Sequence, residues 1–142
     1  MTTSARNRLQ GCIHAILAGE FDAEVQFTLA GGQELSAVVT TDSVRQLGLV
    51  VGGPVTALVK APAVLLATGG HEGVGRGVAA AALAGQVQTV TAGPLNASVA
   101  LHLPGGDTMH AIVTLAAVEE LGLAPGVAAW ALIPASQVVL TA

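Results

Sequence analysis

Six polar side chains in the first half of the sequence can donate hydrogen bonds, and two of them carry a full positive charge. They are Ser4, Arg6, Asn7, Thr40, Ser43 and Lys60. No acidic acceptor is clearly among them, although Asp42 lies close in sequence. A group of donors with two cations suits a doubly charged anion. It disfavours hydrogen phosphate, whose own proton needs an acceptor, and favours a fully deprotonated tetrahedral oxyanion.

Thr40 and Ser43 stand where the sequence predicts a short helix between two strands. Residues 37–40 are mostly apolar and β-branched, Thr40 or Thr41 is a suitable N-cap, and Gly48 is a suitable C-terminal stop. The start of such a helix offers backbone N–H groups and the positive end of its dipole to an anion. Residues 54–60 then resume a strand pattern, which Lys60 closes with its positive charge.

The chain contains an internal repeat with an offset of seventy-four residues. Residues 9–68 align with residues 83–142 without a gap, and roughly a third of the paired positions are identical. We therefore predict two modules, at residues 1–68 and 79–142, joined by a glycine-rich linker at residues 69–78. The linker glycines do not fit a dinucleotide-binding G-x-G-x-x-G motif, so we interpret the segment as a tether rather than a phosphate loop.

The candidate donors are the positions at which the two modules differ most. Ser4, Arg6 and Asn7 correspond to Val78, Ala80 and Ala81, Ser43 corresponds to Ala117, and Lys60 corresponds to Pro134. Joint loss of these donors is expected if they serve one ligand that module 2 no longer binds. Independent drift is the alternative, and residues 1–8 taken alone favour a solvated N-terminal arm.

Short strands separated by turn signals predict the fold. Residues 23–30 alternate, with Val25, Phe27 and Leu29 on one face, and the glycine pair at 31–32 marks a hairpin. Five short strands per module, with one helix between the third and fourth, predict an all-β fold of two tandem OB-like Greek-key barrels. Gly11 suggests a bend or bulge in the first strand.

Composition narrows the class of protein. The chain is 52% hydrophobic and 10% charged, which is more apolar surface than two small barrels can bury, so we predict a homo-oligomer. No apolar run is long enough for a spanning helix, and acidic residues follow the first apolar run, so neither a membrane protein nor an exported one is expected. A net charge of −4 and the lack of a basic patch argue against nucleic acid.

No other pattern indicates catalysis or a metal site. His14, His71, His102 and His110 lack metal-ligand spacing, and Cys12 has no neighbouring histidine that would activate it. A lone cysteine also fits a reducing cytoplasm. Neither a nucleophile elbow nor a pair of catalytic carboxylates is present, so the sequence does not indicate an enzyme.

The combined pattern resembles a known family. Ser4-Ala5-Arg6-Asn7, Asp22-Ala23-Glu24-Val25, Val39-Thr40, Leu47-Gly48-Leu49 and Val59-Lys60-Ala61-Pro62 resemble the Mop domain of molbindins, and the tandem arrangement resembles di-Mop proteins. The resemblance implies an OB-like barrel, a homotrimer of tandem modules, and cytoplasmic binding of molybdate between modules. Tungstate is expected to bind by the same contacts.

The resemblance also implies roles for individual residues. Ser4 and Arg6 would donate from the N-terminal arm, Thr40 and Ser43 from the helix start, and Lys60 with the backbone around Ala61 from the end of a strand. Module 2 departs from the family pattern at most of these places, so fewer oxyanions per chain are expected than in a fully equipped di-Mop protein. Storage or buffering of molybdate is the leading hypothesis. A sensing module that regulates a partner protein, or a structural oligomer with decayed sites, remain as alternatives.

Overall fold

The computed structural model describes residues 3–69 and 80–142 as ten strands with two short helices. Module 1 contains β1 (Asn7–Ala18), β2 (Asp22–Leu29), β3 (Glu34–Thr40), α1 (Thr41–Gln46), β4 (Pro54–Val59), a 3-10 turn (Ala61–Ala63) and β5 (Leu65–Ala67). Module 2 contains β6 (Ala80–Ala92), β7 (Asn96–His102), β8 (Thr108–Thr114), α2 (Leu115–Leu121), β9 (Ala128–Pro134), a second 3-10 turn (Ala135–Gln137) and β10 (Val139–Thr141).

The strands form two antiparallel sheets of five strands each, and the two modules exchange their last strands. One sheet has the order β10-β4-β1-β2-β3 and the other has the order β5-β9-β6-β7-β8. Val139 pairs with Leu58, and in the same way Leu65 pairs with Leu132. The 3-10 turn after β4 contains Pro62, which has no N–H to continue a ladder. Each module therefore contributes the last strand of the other module's sheet. This strand exchange was not predicted from the sequence.

The predicted fold class is confirmed. Val25, Phe27 and Leu29 are buried on the same face of β2, and Val99, Leu101 and Leu103 form the equivalent inner face in module 2. The core joins both modules and consists of Val, Leu, Ile and Ala side chains with Phe27 and Met109. Because aromatic residues are 2% of the sequence, these aliphatic contacts must supply most of the burial energy.

The long first strand of each module bends at a β-bulge. The register shifts between Ile13 and Ala15 in β1 and between Val87 and Thr89 in β6, which are equivalent positions in the repeat. The prediction that Gly11 marks the bend is wrong. Gly11 is instead a close-approach position, where an added Cβ would lie 2.8 Å from the Phe27 ring.

The β2–β3 and β7–β8 hairpin tips contact each other. A Cβ at Gly31 would lie 1.9 Å from the carbonyl oxygen of Pro104, and a Cβ at Gly105 would lie 2.5 Å from the backbone nitrogen of Gly31. The Gln33 amide donates to the same Pro104 oxygen at 2.9 Å. Only residues without a side chain allow two backbones to approach this closely.

The predicted module boundaries stay a prediction, because the exchanged strands and the limits of the described chain leave them untested. Apart from Gly69, the predicted linker at 69–78 lies outside the described residues. Within residues 3–69 and 80–142, none of the helices has the length and apolar character needed to cross a bilayer.

Candidate functional site

The N-terminal arm and the end of β4 meet at one corner of the first sheet. Asn7 pairs with Val59 at the edge of the β1–β4 ladder. Arg6 and Lys60 are the next residues beyond this pair. In an antiparallel ladder such positions face each other across neighbouring strands. The structure thus brings the two predicted cations to the same corner.

Two grooves open beside this corner. The first, the Arg6 groove, has a volume of about 280 Å³ and is lined by Arg6, Ala61, Ser98, His110 and Ile112. The second, the Lys60 groove, has a volume of about 250 Å³ and is lined by Thr3, Ala5, Leu58, Lys60, Ser136, Gln137 and Val139. Among these lining residues there is no carboxylate, so both grooves present donors and cations without a competing negative charge. Each groove combines residues from both modules.

Ala61 lies at the start of the 3-10 turn that follows β4. Its side chain is buried at the start of the 3-10 turn, and the turn packs against β8 of module 2. The backbone at this position is therefore fixed while the residue still lines the Arg6 groove. Ser4 is exposed on the arm next to the groove-lining Thr3 and Ala5.

Asn7 lies between the modules. Its side chain is 1% exposed. Its Nδ2 donates to the carbonyl oxygen of His110 at 2.8 Å, and the backbone N–H of His110 donates back to its Oδ1 at 2.6 Å. This amide is one of the predicted ligand donors, but in the structure it is engaged with the β8 backbone. The module 2 equivalent, Ala81, has no amide to make the reciprocal contact.

Thr40 and Ser43 form a compact hydroxyl pair at the start of α1. The backbone N–H of Ser43 donates to Thr40 Oγ1 at 3.0 Å, and the two hydroxyl oxygens lie 2.7 Å apart. The predicted N-cap is therefore confirmed. The expectation of freely available helix amides is corrected in part, because the Ser43 N–H is used by this cap and the Thr41 N–H donates to the Phe21 carbonyl at 2.8 Å.

The predicted donors do not form one site within a single chain. Thr40 pairs with Asp22, and the adjacent Ala23 pairs with Ala18 at the far end of β1 from Arg6. At about 3.3 Å per residue, the twelve residues of β1 separate these ends. Thr40 and Ser43 line neither the Arg6 groove nor the Lys60 groove. The hydroxyl pair of Thr40 and Ser43 therefore lies apart from Arg6 and Lys60, although all four were predicted to bind the same ligand.

The start of the other helix lies on the same side as the Arg6 groove. Thr114 and Ala117 line a third groove with Pro62, Val64 and Ile112, and Ile112 also lines the Arg6 groove. Thr114 caps α2 as Thr40 caps α1, accepting from the Ala117 N–H at 3.1 Å. Because Ala117 replaces serine, this helix start presents one hydroxyl where α1 presents two.

Four polar lining residues of module 2 were not predicted from the sequence. Ser98 and His110 line the Arg6 groove, and Ser136 and Gln137 line the Lys60 groove. All four belong to module 2, where only lost donors had been considered. The repeat alignment could have indicated them, because each is a polar residue at a position where module 1 has a different residue type. Which groove they line depends on the strand exchange. In the described parts of the chain, no cluster of three His, Cys, Asp or Glu side chains could hold a metal ion.

Comparison with known proteins gives the same family over almost the whole chain. The TOBE domain model matches twice, at residues 3–66 and 79–140. The chain is 41% identical over 140 residues to the molybdenum-pterin-binding protein MopA of Rhodobacter capsulatus and 40% identical over 140 residues to the molybdenum transport protein ModE of Azotobacter vinelandii. These matches cover 99% of this chain but 52% and 51% of the relatives, so the chain spans about half of their length.

A solved structure agrees in length as well as in fold. The cytoplasmic molybdate-binding protein ModG, crystallised with molybdate bound, is 47% identical to the chain with a TM-score of 0.93, and the match covers 99% of both chains. The overall fold of the chain is therefore that of a known structure. The chain belongs to the TOBE-domain family, and its two halves are tandem modules of the Mop type.

Proposed function

We propose that this protein binds molybdate reversibly, without chemical conversion, through donors that surround the corner between β1 and β4. The observation that carries the proposal is the β1–β4 register, which places the backbones of Arg6 and Lys60 at the same corner, where each side chain lines one of two grooves whose described lining residues include no carboxylate. Two cations balance a dianion, and charge-assisted hydrogen bonds from Arg and Lys are the strongest available to an oxyanion. The 47% identity with a molybdate-binding protein over 99% of the chain supports this ligand class.

We propose further that a complete site requires two chains. The arm half, made of Ser4, Arg6, Lys60 and the Ala61 backbone, lies apart from the hydroxyl pair of Thr40 and Ser43 within one chain. A second copy can bring its own Thr40 and Ser43 to the arm half of the first. The paired hydroxyls are exposed and already held by the cap, so they are preorganised to donate to a ligand without a large entropy cost.

Asn7 has a supporting role in this proposal. Both ends of its amide contact the His110 backbone, which fixes the residue that follows Arg6. The arm is otherwise exposed at Thr3 and Ser4. Fixing position 7 limits the conformations that Arg6 must lose when it binds an anion. Asn7 therefore acts by positioning the arm.

Exposed apolar residues support assembly into the predicted homotrimer. Phe21 and Leu95 occupy equivalent hairpin positions and are 76% and 79% exposed, and Val50 and Val51 are also largely exposed. Large apolar side chains that are this exposed favour burial in contacts between copies. Such contacts would also supply the second chain that the site requires. Size-exclusion chromatography with light scattering tests this directly, and a monomer at micromolar concentration would contradict it.

In the cell we propose storage or buffering of the anion in the cytoplasm, with tungstate bound by the same contacts. A second candidate is a sensing module that acts on a partner protein. It is favoured by the observation that ModE, named a molybdenum transport protein, is about twice as long as the part this chain matches. A pull-down in which a partner is gained or lost on adding molybdate would support the sensing role.

Isothermal titration calorimetry of the full chain with molybdate, tungstate, sulfate and phosphate tests the proposed ligand. We expect saturable binding of molybdate and tungstate and weaker binding of phosphate, which carries a proton that the donor set cannot accept. Equal binding of all four anions, or binding of none, would contradict the proposal. Anomalous density in a crystal soaked with molybdate would then locate the site.

A further inference from the structure

The Arg6 groove has a second wall, and that wall belongs to module 2. Ser98 of β7 pairs with Ile112 of β8. His110 lies two residues before Ile112, and the intervening Ala111 is buried. The three residues therefore lie on the outer face of the second sheet, as strand alternation requires. All three line the groove together with Arg6 and Ala61.

The equivalent positions in module 1 carry different charges. By the repeat offset, Ser98 corresponds to Glu24, His110 to Ser36 and Ile112 to Val38. Arg6 and Ala61 correspond to Ala80 and Ala135. We use the name twin groove for these five positions as the repeat offset defines them in the sequence. In going from the twin groove to the Arg6 groove, a carboxylate is removed, an imidazole is added and a guanidinium is added. All three changes favour an anion.

The Lys60 groove shows the same direction of change. Its module 2 residues Ser136 and Gln137 correspond to Pro62 and Ala63 in module 1. Hydrogen-bonding groups thus replace an imino acid and an alanine beside Lys60. The position of this turn follows from the pairing of β10 with β4, so the strand exchange brings it to the lysine. Polar gains in module 2 are therefore found at both cations of module 1.

We propose that Ser98 and His110 are part of the oxyanion site, where module 2 supplies a donor wall that faces Arg6. The Ser98 hydroxyl and an imidazole N–H can each donate to an oxyanion. Glu24 at the twin position repels a dianion and has only acceptor oxygens when ionised, so the twin groove rejects the same ligand. Module 2 has thus lost the donors that module 1 retains, but it contributes other donors to the site of module 1. This inference rests on the proposed binding of molybdate.

Exchanging residues between the two grooves tests the inference. Ser98→Glu installs the twin residue at an exposed position of β7, and we expect about tenfold or greater weakening of molybdate binding in calorimetry. Glu24→Ser makes the reverse change among the five twin positions, none of which is Lys or Arg, and should leave Kd and stoichiometry unchanged. His110→Ser keeps the backbone that Asn7 contacts, and we expect about threefold weaker binding because the shorter serine hydroxyl does not reach where the imidazole N–H donates.

The outcomes separate this inference from the proposed function. Arg6→Ala is measured in the same series. If Arg6→Ala loses binding while Ser98→Glu and His110→Ser bind within about twofold of the unmodified protein, module 2 supplies no part of the site and the inference is overturned alone. If the unmodified protein binds no molybdate, both proposals are overturned. Thermal unfolding of each variant checks its fold, and His110→Ser decides the question if Ser98→Glu does not fold.

Discussion

Module 1 and module 2 have the same backbone fold but different side chains at the corner where the N-terminal segment meets the fourth strand. Their strands pair in the same register, their first strands carry a bulge at equivalent positions, and their helices begin at Thr40 and Thr114 with the same cap. At the corner where the arm meets the fourth strand, however, module 1 has Arg6 and Lys60, whereas module 2 has Ala80 and Pro134.

This comparison shows that backbone architecture and ligand chemistry are specified by separate residues. Glycines at the hairpin tips and apolar residues on the inner faces of the strands are retained in both modules, because each barrel needs them to form. Residues on the outer faces and on the arm are not needed for the barrel, so they can differ without changing the fold. Substitutions at equivalent scaffold positions should therefore lower the stability of the protein equally in both modules. Substitutions at equivalent site positions should affect molybdate binding unequally.

The largest difference is expected at the two cations. Arg6→Ala and Lys60→Ala should each weaken molybdate binding by about 3–4 kcal/mol, because each leaves a desolvated charge without its partner. Arg8→Ala is the matched control, since Arg8 is exposed on β1, carries the same charge and lines neither groove. Calorimetry measures all three. An equal loss in Arg8→Ala would show that net charge, not the corner, determines binding.

The contact between Asn7 and His110 should contribute strongly to stability. Asn7→Ala leaves the N–H and C=O of His110 without their side-chain partners at a buried position, and we expect the free energy of unfolding to fall by about 2–3 kcal/mol. In Asn7→Asp the ionised carboxylate accepts from the His110 N–H but cannot donate to the His110 carbonyl, whereas the protonated carboxyl can donate to it. The loss of stability in this variant should therefore be smaller at acidic pH than at neutral pH. Chemical denaturation measures these differences. A loss below about 0.5 kcal/mol in Asn7→Ala would contradict the assigned role.

The hydroxyls at the two helix starts provide a test with a built-in control. Thr40→Ala with Ser43→Ala should weaken molybdate binding about tenfold, because two donors are lost. Thr114→Ala removes the equivalent cap of α2 and should leave binding unchanged. Both variants should lose about 1 kcal/mol of stability from the missing cap. If Thr114→Ala weakens binding and the double variant does not, the oxyanion is held within one chain at the start of α2.

The smallest difference between the two modules is expected at the hairpin glycines. Gly32 and Gly106 have φ angles of +87° and +100°, and an added Cβ would meet no atom within 4 Å at either position. Gly32→Ala and Gly106→Ala should each cost about 1–2 kcal/mol from backbone strain alone. Thermal unfolding should give the same shift for both variants. A difference of more than about 1 kcal/mol would show that the hairpins are not equivalent parts of one scaffold.

Most of the architecture could be predicted from the sequence. The repeat fixed the number of modules, the alternation of Val25, Phe27 and Leu29 fixed the inner face of β2, and the glycine pair at 31–32 fixed a hairpin. These features are local or periodic, so they can be recognised from the order of the residues alone. The arm residues and Lys60 were also recognisable as donors, because their loss in module 2 is visible in the alignment of the repeat with itself.

Only the tertiary structure could decide where the donors lie and what surrounds them. The exchange of β5 and β10 depends on pairings between strands that are far apart in sequence, and it places Ser136 and Gln137 beside Lys60. Likewise, the packing of the first 3-10 turn on β8 brings Ser98 and His110 to Arg6 and engages Asn7 in a contact between modules. The sequence alone determined which residues are available for chemistry. Long-range strand pairing determined which of them share a groove, because side-chain identity does not specify a distant partner.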